Sequence, residues 1–181
     1  LIFFTMIVHT TVYGSTSSIA KQLEAPTICD KLIIKDSKRY KIVSVPHAFK
    51  NPGITDVLLY DEEIKATRTI GVIALKGENV YGCSIFTLRP ESNGQEYKDW
   101  ELEYEKIGGS KSDLPELPII DLINLNLDQI PEGFKEGGEL YYYTSVIPDN
   151  NYASHKISLK LSLIPHCDTE SKKLRYSNRD D

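Results

Sequence analysis

The sequence predicts an all-β fold, a single antiparallel β-sandwich of about nine short strands without a long helix, with a closed β-barrel as the alternative. The first reason is that apolar and polar residues alternate over residues 140–164. The second is that residues 69–75 and 80–88 are nearly all apolar, as in strands buried on both faces. Turn-forming residues separate these runs at short, regular intervals.

The central element of the prediction is a hairpin at residues 140–164. Its second half places apolar residues at every other position, with polar residues between them; the apolar residues are Ile157, Leu159, Leu161 and Leu163. Side chains in a strand point to opposite faces with a period of two, so this pattern indicates one apolar face. The segment Pro148-Asp149-Asn150-Asn151 has the composition of a turn.

The other strands follow from the same patterns. Glutamates alternate with Trp100, Leu102 and Tyr104 in the next predicted strand, which indicates that its opposite face is exposed to solvent. Residues 61–63 are predicted to form an acidic turn, and Ser92-Asn93-Gly94 is predicted to form a tight turn. These strands are predicted at residues 29–35, 39–45, 56–60, 69–75, 80–88, 97–106 and 119–127.

The chain is predicted to contain one domain, at residues 29–167, with shorter segments on either side. Residues 1–14 begin with the apolar run LIFFTMIV and end at Gly14, a small residue of the kind that signal peptidase accepts. They are therefore interpreted as the remnant of a secretory signal peptide, and the alternative for the apolar run is an N-terminal strand, because Ile, Val and Thr also suit one. Residues 15–28 are a polar lead-in, and residues 168–181 are a charged tail that is predicted to be disordered.

The chain has three cysteines, and their pairing would indicate whether the protein belongs in an oxidising, extracellular compartment. Cys29 and Cys167 lie at the two ends of the predicted domain, and Cys83 lies inside an apolar strand. A secreted, extracellular protein would be expected to pair two of them. The predicted disulfide is Cys29–Cys167, with Cys83 as a small buried hydrophobe.

Composition and motifs exclude several classes of function. The net charge of −5 argues against nucleic acid as a partner, because binding to phosphates requires a basic surface. No run is long enough for a transmembrane helix. No phosphate-binding loop, nucleophile elbow or zinc motif is present, so no catalytic, cofactor-binding or metal-binding residue is predicted and no cofactor is expected. A metal site at His166-Cys167-Asp168 would need distant ligands such as His47 and His155 and is disfavoured.

Tyrosines supply the candidate binding surface. Tyr141, Tyr143 and Tyr152 lie on or beside the predicted hairpin. Tyrosine is enriched at recognition surfaces because it offers a large, rigid and amphipathic contact area. The leading hypothesis is therefore a secreted, non-enzymatic β-sandwich that binds another protein or a surface ligand.

Two alternatives belong to other classes. The length and the strand-rich pattern are similar to those of secreted lipocalin-type barrels, and this resemblance implies a carrier of a small hydrophobic ligand. The G-x-W motif of that family is missing near the start, and the sole tryptophan is Trp100. The second alternative is an extracellular hydrolase, which would need a pair of carboxylates such as those among Glu101, Glu103 and Glu105.

Overall fold

The computed structural model describes residues 28–32, 40–43, 56–64, 67–76, 79–106 and 118–180. These residues form one mixed sheet of eight strands, two helices of nine residues each, and two short 3-10 turns at Ile28–Lys31 and Glu132–Phe134. The helices are α1 (Ile119–Leu127) and α2 (Tyr152–Lys160). The strands are β1 (Tyr40–Val43), β2 (Asp56–Ile64), β3 (Thr67–Lys76), β4 (Asn79–Leu88), β5 (Asp99–Lys106), β6 (Tyr141–Thr144), β7 (Ile164–Cys167) and β8 (Leu174–Ser177).

The sheet has the order β1-β2-β3-β4-β5-β6-β8-β7. Strands β1 to β5 form an antiparallel meander, β6 pairs parallel to β5, and β8 and β7 complete the sheet in antiparallel pairs. A parallel pair needs a crossover connection, and α1 lies in the chain between β5 and β6.

The predicted content of mostly β structure with no long helix is confirmed for the described residues. The predicted sandwich and barrel differ from what these residues form. The sheet is open, with β1 and β7 at its edges, and helices rather than a second sheet cover one of its faces.

The larger core lies between the sheet and its two helices, on what we call the helix face. Trp100 and Leu102 of β5 point to this face, and Leu122 and Ile123 of α1 pack against it. All four side chains are buried. Burial of apolar area of this kind is the dominant favourable contribution to folding.

Helix α1 replaces the strand predicted at residues 119–127. Its buried residues are Ile119, Leu122, Ile123 and Asn126, spaced by three and four positions, which places them on one side of a helix. Asn126 anchors the helix to the sheet, because its Nδ2 donates to the Ser84 main-chain oxygen at 2.9 Å and to Ser84 Oγ at 3.0 Å.

Helix α2 replaces the second half of the predicted hairpin at residues 140–164. The structure buries Ser158 completely and leaves Leu159 57% exposed, the reverse of what a strand with an apolar face requires. Asn151 begins the helix, since its side chain accepts a hydrogen bond from the Ser154 main-chain nitrogen at 3.2 Å. The turn residues predicted to join two strands therefore start a helix instead.

Polar contacts fasten α2 to the sheet. The Tyr104 hydroxyl donates to the Ser154 main-chain oxygen at 3.3 Å. His155 Nε2 lies 3.1 Å from the Pro148 main-chain oxygen, and His155 Nδ1 lies 2.8 Å from the Tyr176 hydroxyl. A carbonyl oxygen can only accept, so Nε2 carries a proton, and in the neutral imidazole Nδ1 then accepts from the Tyr176 hydroxyl. The imidazole thus joins the start of α2 to β8.

The opposite face of the sheet, which we call the open face, is covered in part by the first 3-10 turn. Residues 29–35 were predicted as a strand, but Cys29 lies in this turn and Leu32 directly after it. Both side chains are fully buried against Leu58, Ile73 and other residues of β2 to β4. The turn closes a second, smaller core.

The turn can approach the sheet closely because position 71 is a glycine. A Cβ atom added at Gly71 would lie 2.6 Å from both Cδ atoms of Leu32. We expect Gly71→Ala to lower the free energy of unfolding by about 1–3 kcal/mol, since it overpacks this contact. Gly133→Ala is the matched control because nothing lies within 4 Å of its added Cβ. Urea unfolding of both variants tests the contact, and equal stabilities would contradict it.

The structure corrects the predicted disulfide. Cys29 is bonded to Cys83 across 54 residues, and Cys167 is free and exposed. The physical reason is that Cys29 lies on the 3-10 turn directly over β4, whereas Cys167 lies on the edge strand β7. The bridge therefore ties the turn to the sheet rather than joining the two ends of the domain.

The chain ends also differ from the prediction where they can be compared. Residues 168–181 were predicted to be disordered, but Leu174–Ser177 form β8 between β6 and β7. The predicted signal remnant at 1–14 and most of the lead-in at 15–28 lie outside the described residues. No helix in the described ranges is long and apolar enough to cross a membrane.

Burial raises the pKa of five of the tyrosines that the structure describes, and for each of these five burial is the largest cause. A raised pKa in the folded state means that the neutral phenols stabilise the fold below the pKa of free tyrosine, about 10. That stability is lost as the pH rises through the folded values. We expect an alkaline titration to show phenolate absorbance appearing together with loss of circular dichroism. Ionisation of all tyrosines with the fold intact would contradict this. The five are Tyr81, Tyr104, Tyr142, Tyr143 and Tyr176.

Candidate interaction surface

The parallel pairing of β5 and β6 gathers polar and aromatic side chains on the open face. Asp99 is paired with Tyr141, and Glu101 with Tyr143. Tyr142, between the two tyrosines, is buried in the core of the helix face. Because neighbouring side chains on a strand point in opposite directions, Tyr141 and Tyr143 lie on the open face.

Tyr141 and Tyr143 form an aromatic pair whose rings are half-buried. Their ring centroids are 6.4 Å apart in an edge-to-face arrangement. The Arg179 guanidinium lies 4.7 Å from the centre of the Tyr141 ring, and Arg179 Nη1 is 3.7 Å from Glu136 Oε2. The arginine thus covers one ring while its charge is paired.

A second arginine and tyrosine stack at the start of β5. The Arg89 guanidinium lies 3.8 Å from the centre of the Tyr97 ring, and Arg89 Nη1 is 3.6 Å from Asp99 Oδ2. The main chain closes the same contact, because the Arg89 nitrogen donates to the Asp99 oxygen at 2.9 Å. Arg89 keeps 48% of its side chain exposed.

Tyr143 connects the two stacks electrostatically. Burial is the main cause of its raised pKa, the negative charges of Glu101 and Asp99 raise the pKa further, and Arg89 opposes them. The hydroxyl is therefore neutral at ordinary pH and can donate or accept a hydrogen bond. We call this set the tyrosine patch; it consists of Tyr97, Tyr141, Tyr143, Arg89, Arg179, Asp99, Glu101 and Glu136.

Hydrogen bonds of Asn178 and a glycine turn position the part of the patch that contains Arg179 and Glu136. Asn178 Oδ1 accepts from the Tyr142 main-chain nitrogen at 3.0 Å, and Asn178 Nδ2 donates to the Leu140 main-chain oxygen, which fixes the chain next to Arg179. Gly137 and Gly138 have positive φ angles of 60° and 81° and form a tight two-residue turn that presents Glu136.

The structure brings together two of the three tyrosines named from the sequence. Tyr152 is 78% exposed, but it starts α2, which packs on the helix face. It therefore lies on the other side of the sheet from Tyr141 and Tyr143. The sequence analysis did not identify Arg89 or Arg179 as part of the surface. Arg179 lies in the segment predicted to be disordered. For Arg89 the one signal is the predicted turn at Ser92-Asn93-Gly94, which brings Arg89 and Asp99 together.

Within the part of the chain that the structure describes, the histidines and the glutamates of β5 do not converge on a common site. His166 Nε2 contacts Ser177 Oγ at 2.9 Å, His155 is engaged with Tyr176 and Pro148, and His47 lies outside the described residues. The three glutamates of β5 follow one another along a single strand face and are half-buried rather than facing each other across a cleft.

No protein-family model, curated protein or solved structure compared with the chain matches it.

Proposed function

We propose that the protein is a secreted, non-enzymatic binding protein that contacts a protein partner through the tyrosine patch. The observation that carries the proposal is the pairing of half-buried aromatic rings with arginines at the surface: Arg179 over Tyr141 and Arg89 over Tyr97. Tyrosine and arginine are the residue types that, with tryptophan, supply most of the binding energy at protein interfaces.

The contacts that the two arginines already make within the patch support the proposal. Each arginine is already held by a carboxylate, Arg89 by Asp99 and Arg179 by Glu136. Side chains that are ordered before binding lose less conformational entropy when a partner docks, so more of the contact energy is available as affinity.

The mixture of charges indicates the kind of partner. The patch contains two arginines and three carboxylates, and the whole chain has a net charge of −5. Such a surface does not attract phosphate backbones, so nucleic acid is not the proposed partner. A protein surface with its own mixed charges around an aromatic or apolar centre fits it better.

Secretion is part of the proposal. The Cys29–Cys83 disulfide supports it, because disulfides persist mainly in oxidising compartments. The leader-like composition of residues 1–14 supports it independently.

The test is affinity capture from the extracellular fluid of the source tissue with the wild-type protein and with Tyr141→Ala, Tyr143→Ala and Tyr152→Ala. We expect the first two substitutions to weaken capture of one and the same protein by about 30-fold each, the effect of losing a hot-spot residue worth about 2 kcal/mol. Tyr152→Ala is the matched control, since it removes a tyrosine 78% exposed on the other side of the sheet.

Circular dichroism and thermal unfolding of each variant separate loss of binding from loss of folding. Equal recovery of the captured protein by folded Tyr143→Ala and wild-type protein would contradict the proposal. Loss of capture in Tyr152→Ala alone would move the binding surface to α2.

A further inference from the structure

Three metal-ligating side chains meet on the open face, away from the tyrosine patch. Cys29 Sγ, Cys83 Sγ and a carboxylate oxygen of Glu105 all lie within 4.8 Å of one another. This is the one such group of three among the described residues. Glu105 is four positions along β5 from Glu101, so the group lies at the other end of the strand.

Backbone geometry holds the three ligands in place. Cys83 of β4 and Glu105 of β5 are directly paired, so their side chains lie side by side on the same face. Cys29 is brought over them by the 3-10 turn, and its main-chain nitrogen is 3.4 Å from Glu105 Oε1. Both cysteines are fully buried.

We infer that, when the Cys29–Cys83 bond is reduced, the two cysteines and Glu105 bind a divalent zinc ion. Reduction by a dithiol takes two electrons and two protons into the pair, gives two thiols, and leaves the reductant as its own disulfide. Zinc then displaces both thiol protons and forms two bonds to sulfur and one to the carboxylate oxygen, with water as the fourth ligand.

Charge and geometry both favour this occupant. Two thiolates and a carboxylate would place three negative charges in a mostly buried site, and a doubly charged cation offsets most of them. Zinc–sulfur bonds of about 2.3 Å in a tetrahedral site place the sulfurs about 3.8 Å apart. The two Cα atoms, 5.6 Å apart, allow this after modest side-chain rotation. Hard cations such as calcium are disfavoured by the thiolates.

The disulfide and the metal site exclude each other, because both use the same two sulfur atoms. The turn at Ile28–Lys31 is thus tied to the sheet by a covalent bond under oxidising conditions and by zinc under reducing conditions. This inference does not depend on the tyrosine patch or on its partner.

Cobalt and zinc binding to the whole 181-residue chain tests the inference. After reduction and removal of the reductant without air, one Co²⁺ per chain should give thiolate-to-cobalt charge-transfer absorbance that Zn²⁺ abolishes. Cys167→Ser should bind as the wild type does, because Cys167 is exposed and lies on β7. Glu105→Gln should weaken zinc binding at least tenfold, since even residues behind the ligands contribute 10–100-fold.

A second readout needs no substitution in the site. Zinc should slow the reaction of two of the three thiols of the reduced wild-type protein with a thiol reagent and leave the third reactive. Equal reactivity with and without zinc, absence of the charge-transfer absorbance, or its loss in Cys167→Ser would overturn the inference. Unchanged affinity in Glu105→Gln would overturn the assignment of the carboxylate as a ligand.

Discussion

Replacing Trp100 with alanine should lower the free energy of unfolding by about 3–5 kcal/mol, the cost of a large cavity in a packed core. Trp100 is fully buried on the helix face and is the sole tryptophan of the chain. Its ring lies edge-to-face against Phe134 with centroids 6.2 Å apart, and its Nε1 donates to the Phe134 main-chain oxygen at 3.2 Å. One substitution therefore removes apolar contacts, an aromatic pair and a hydrogen bond.

Two further variants show how much of this loss of stability comes from the hydrogen bond and how much from burial. Trp100→Phe keeps an aromatic ring but leaves the Phe134 oxygen without its donor, so it should cost less than Trp100→Ala. Leu159→Ala removes an apolar side chain that is 57% exposed and should change stability by no more than about 0.5 kcal/mol. Urea unfolding followed by circular dichroism measures all three. A loss below 1 kcal/mol in Trp100→Ala would show that Trp100 is not in the core.

Replacing Cys83 with serine should lower the free energy of unfolding of the oxidised protein by about 4 kcal/mol, the chain-entropy estimate for a loop of this length. The bond to Cys29 closes 54 residues that include β1, β2 and β3. It also holds Leu32 on the sheet next to Gly71. Zinc cannot substitute for the bond in this variant, because the inferred metal site needs the Cys83 sulfur as well.

Cys167→Ser is the matched control because Cys167 is free and exposed, and its stability should equal that of the wild type. Peptide mapping without reductant should recover Cys29 linked to Cys83. Recovery of Cys29 linked to Cys167, or a large loss of stability in Cys167→Ser alone, would contradict the observed pairing.

The meander from β2 to β5 could be predicted from the sequence because β3 and β4 carry long apolar runs and β5 alternates apolar and charged residues. Residues 69–75 and 80–88, read as the centre of the core, do form β3 and β4. The acidic residues 61–63, read as a turn, continue β2, since pairing with Arg68 and Thr69 of β3 outweighs their low strand propensity.

The two helices could not be separated from strands by periodicity alone. Ile157, Leu159 and Leu161 alternate as in a strand, yet the structure exposes Leu159 and buries Ser158, whose hydroxyl donates to the Ser154 main-chain oxygen at 2.9 Å. A small polar residue can be buried at a helix contact when its hydroxyl is satisfied within the helix. The composition of the segment does not reveal this.

Of the residues in the tyrosine patch, only tyrosines could be predicted from the sequence. Tyr141 and Tyr143 are consecutive on one strand face, and strand alternation links them. Arg179 and Glu136 lie in the loops that flank β8 and β6, and the Arg179 guanidinium reaches Tyr141 from there. Asp99 lies beside Tyr141 because β5 and β6 pair in parallel. Such long-range pairings are set by the whole fold and leave no local pattern in the sequence.

Side-chain footprinting of the protein bound to its captured partner tests the tyrosine patch most directly. Hydroxyl radicals modify exposed tyrosine rings, so the extent of modification of each tyrosine is compared with and without the partner. We predict that Tyr97, Tyr141 and Tyr143 become protected and that Tyr152, on the other side of the sheet, does not change. Protection of Tyr152 with no change at Tyr141 and Tyr143 would contradict the proposed binding surface.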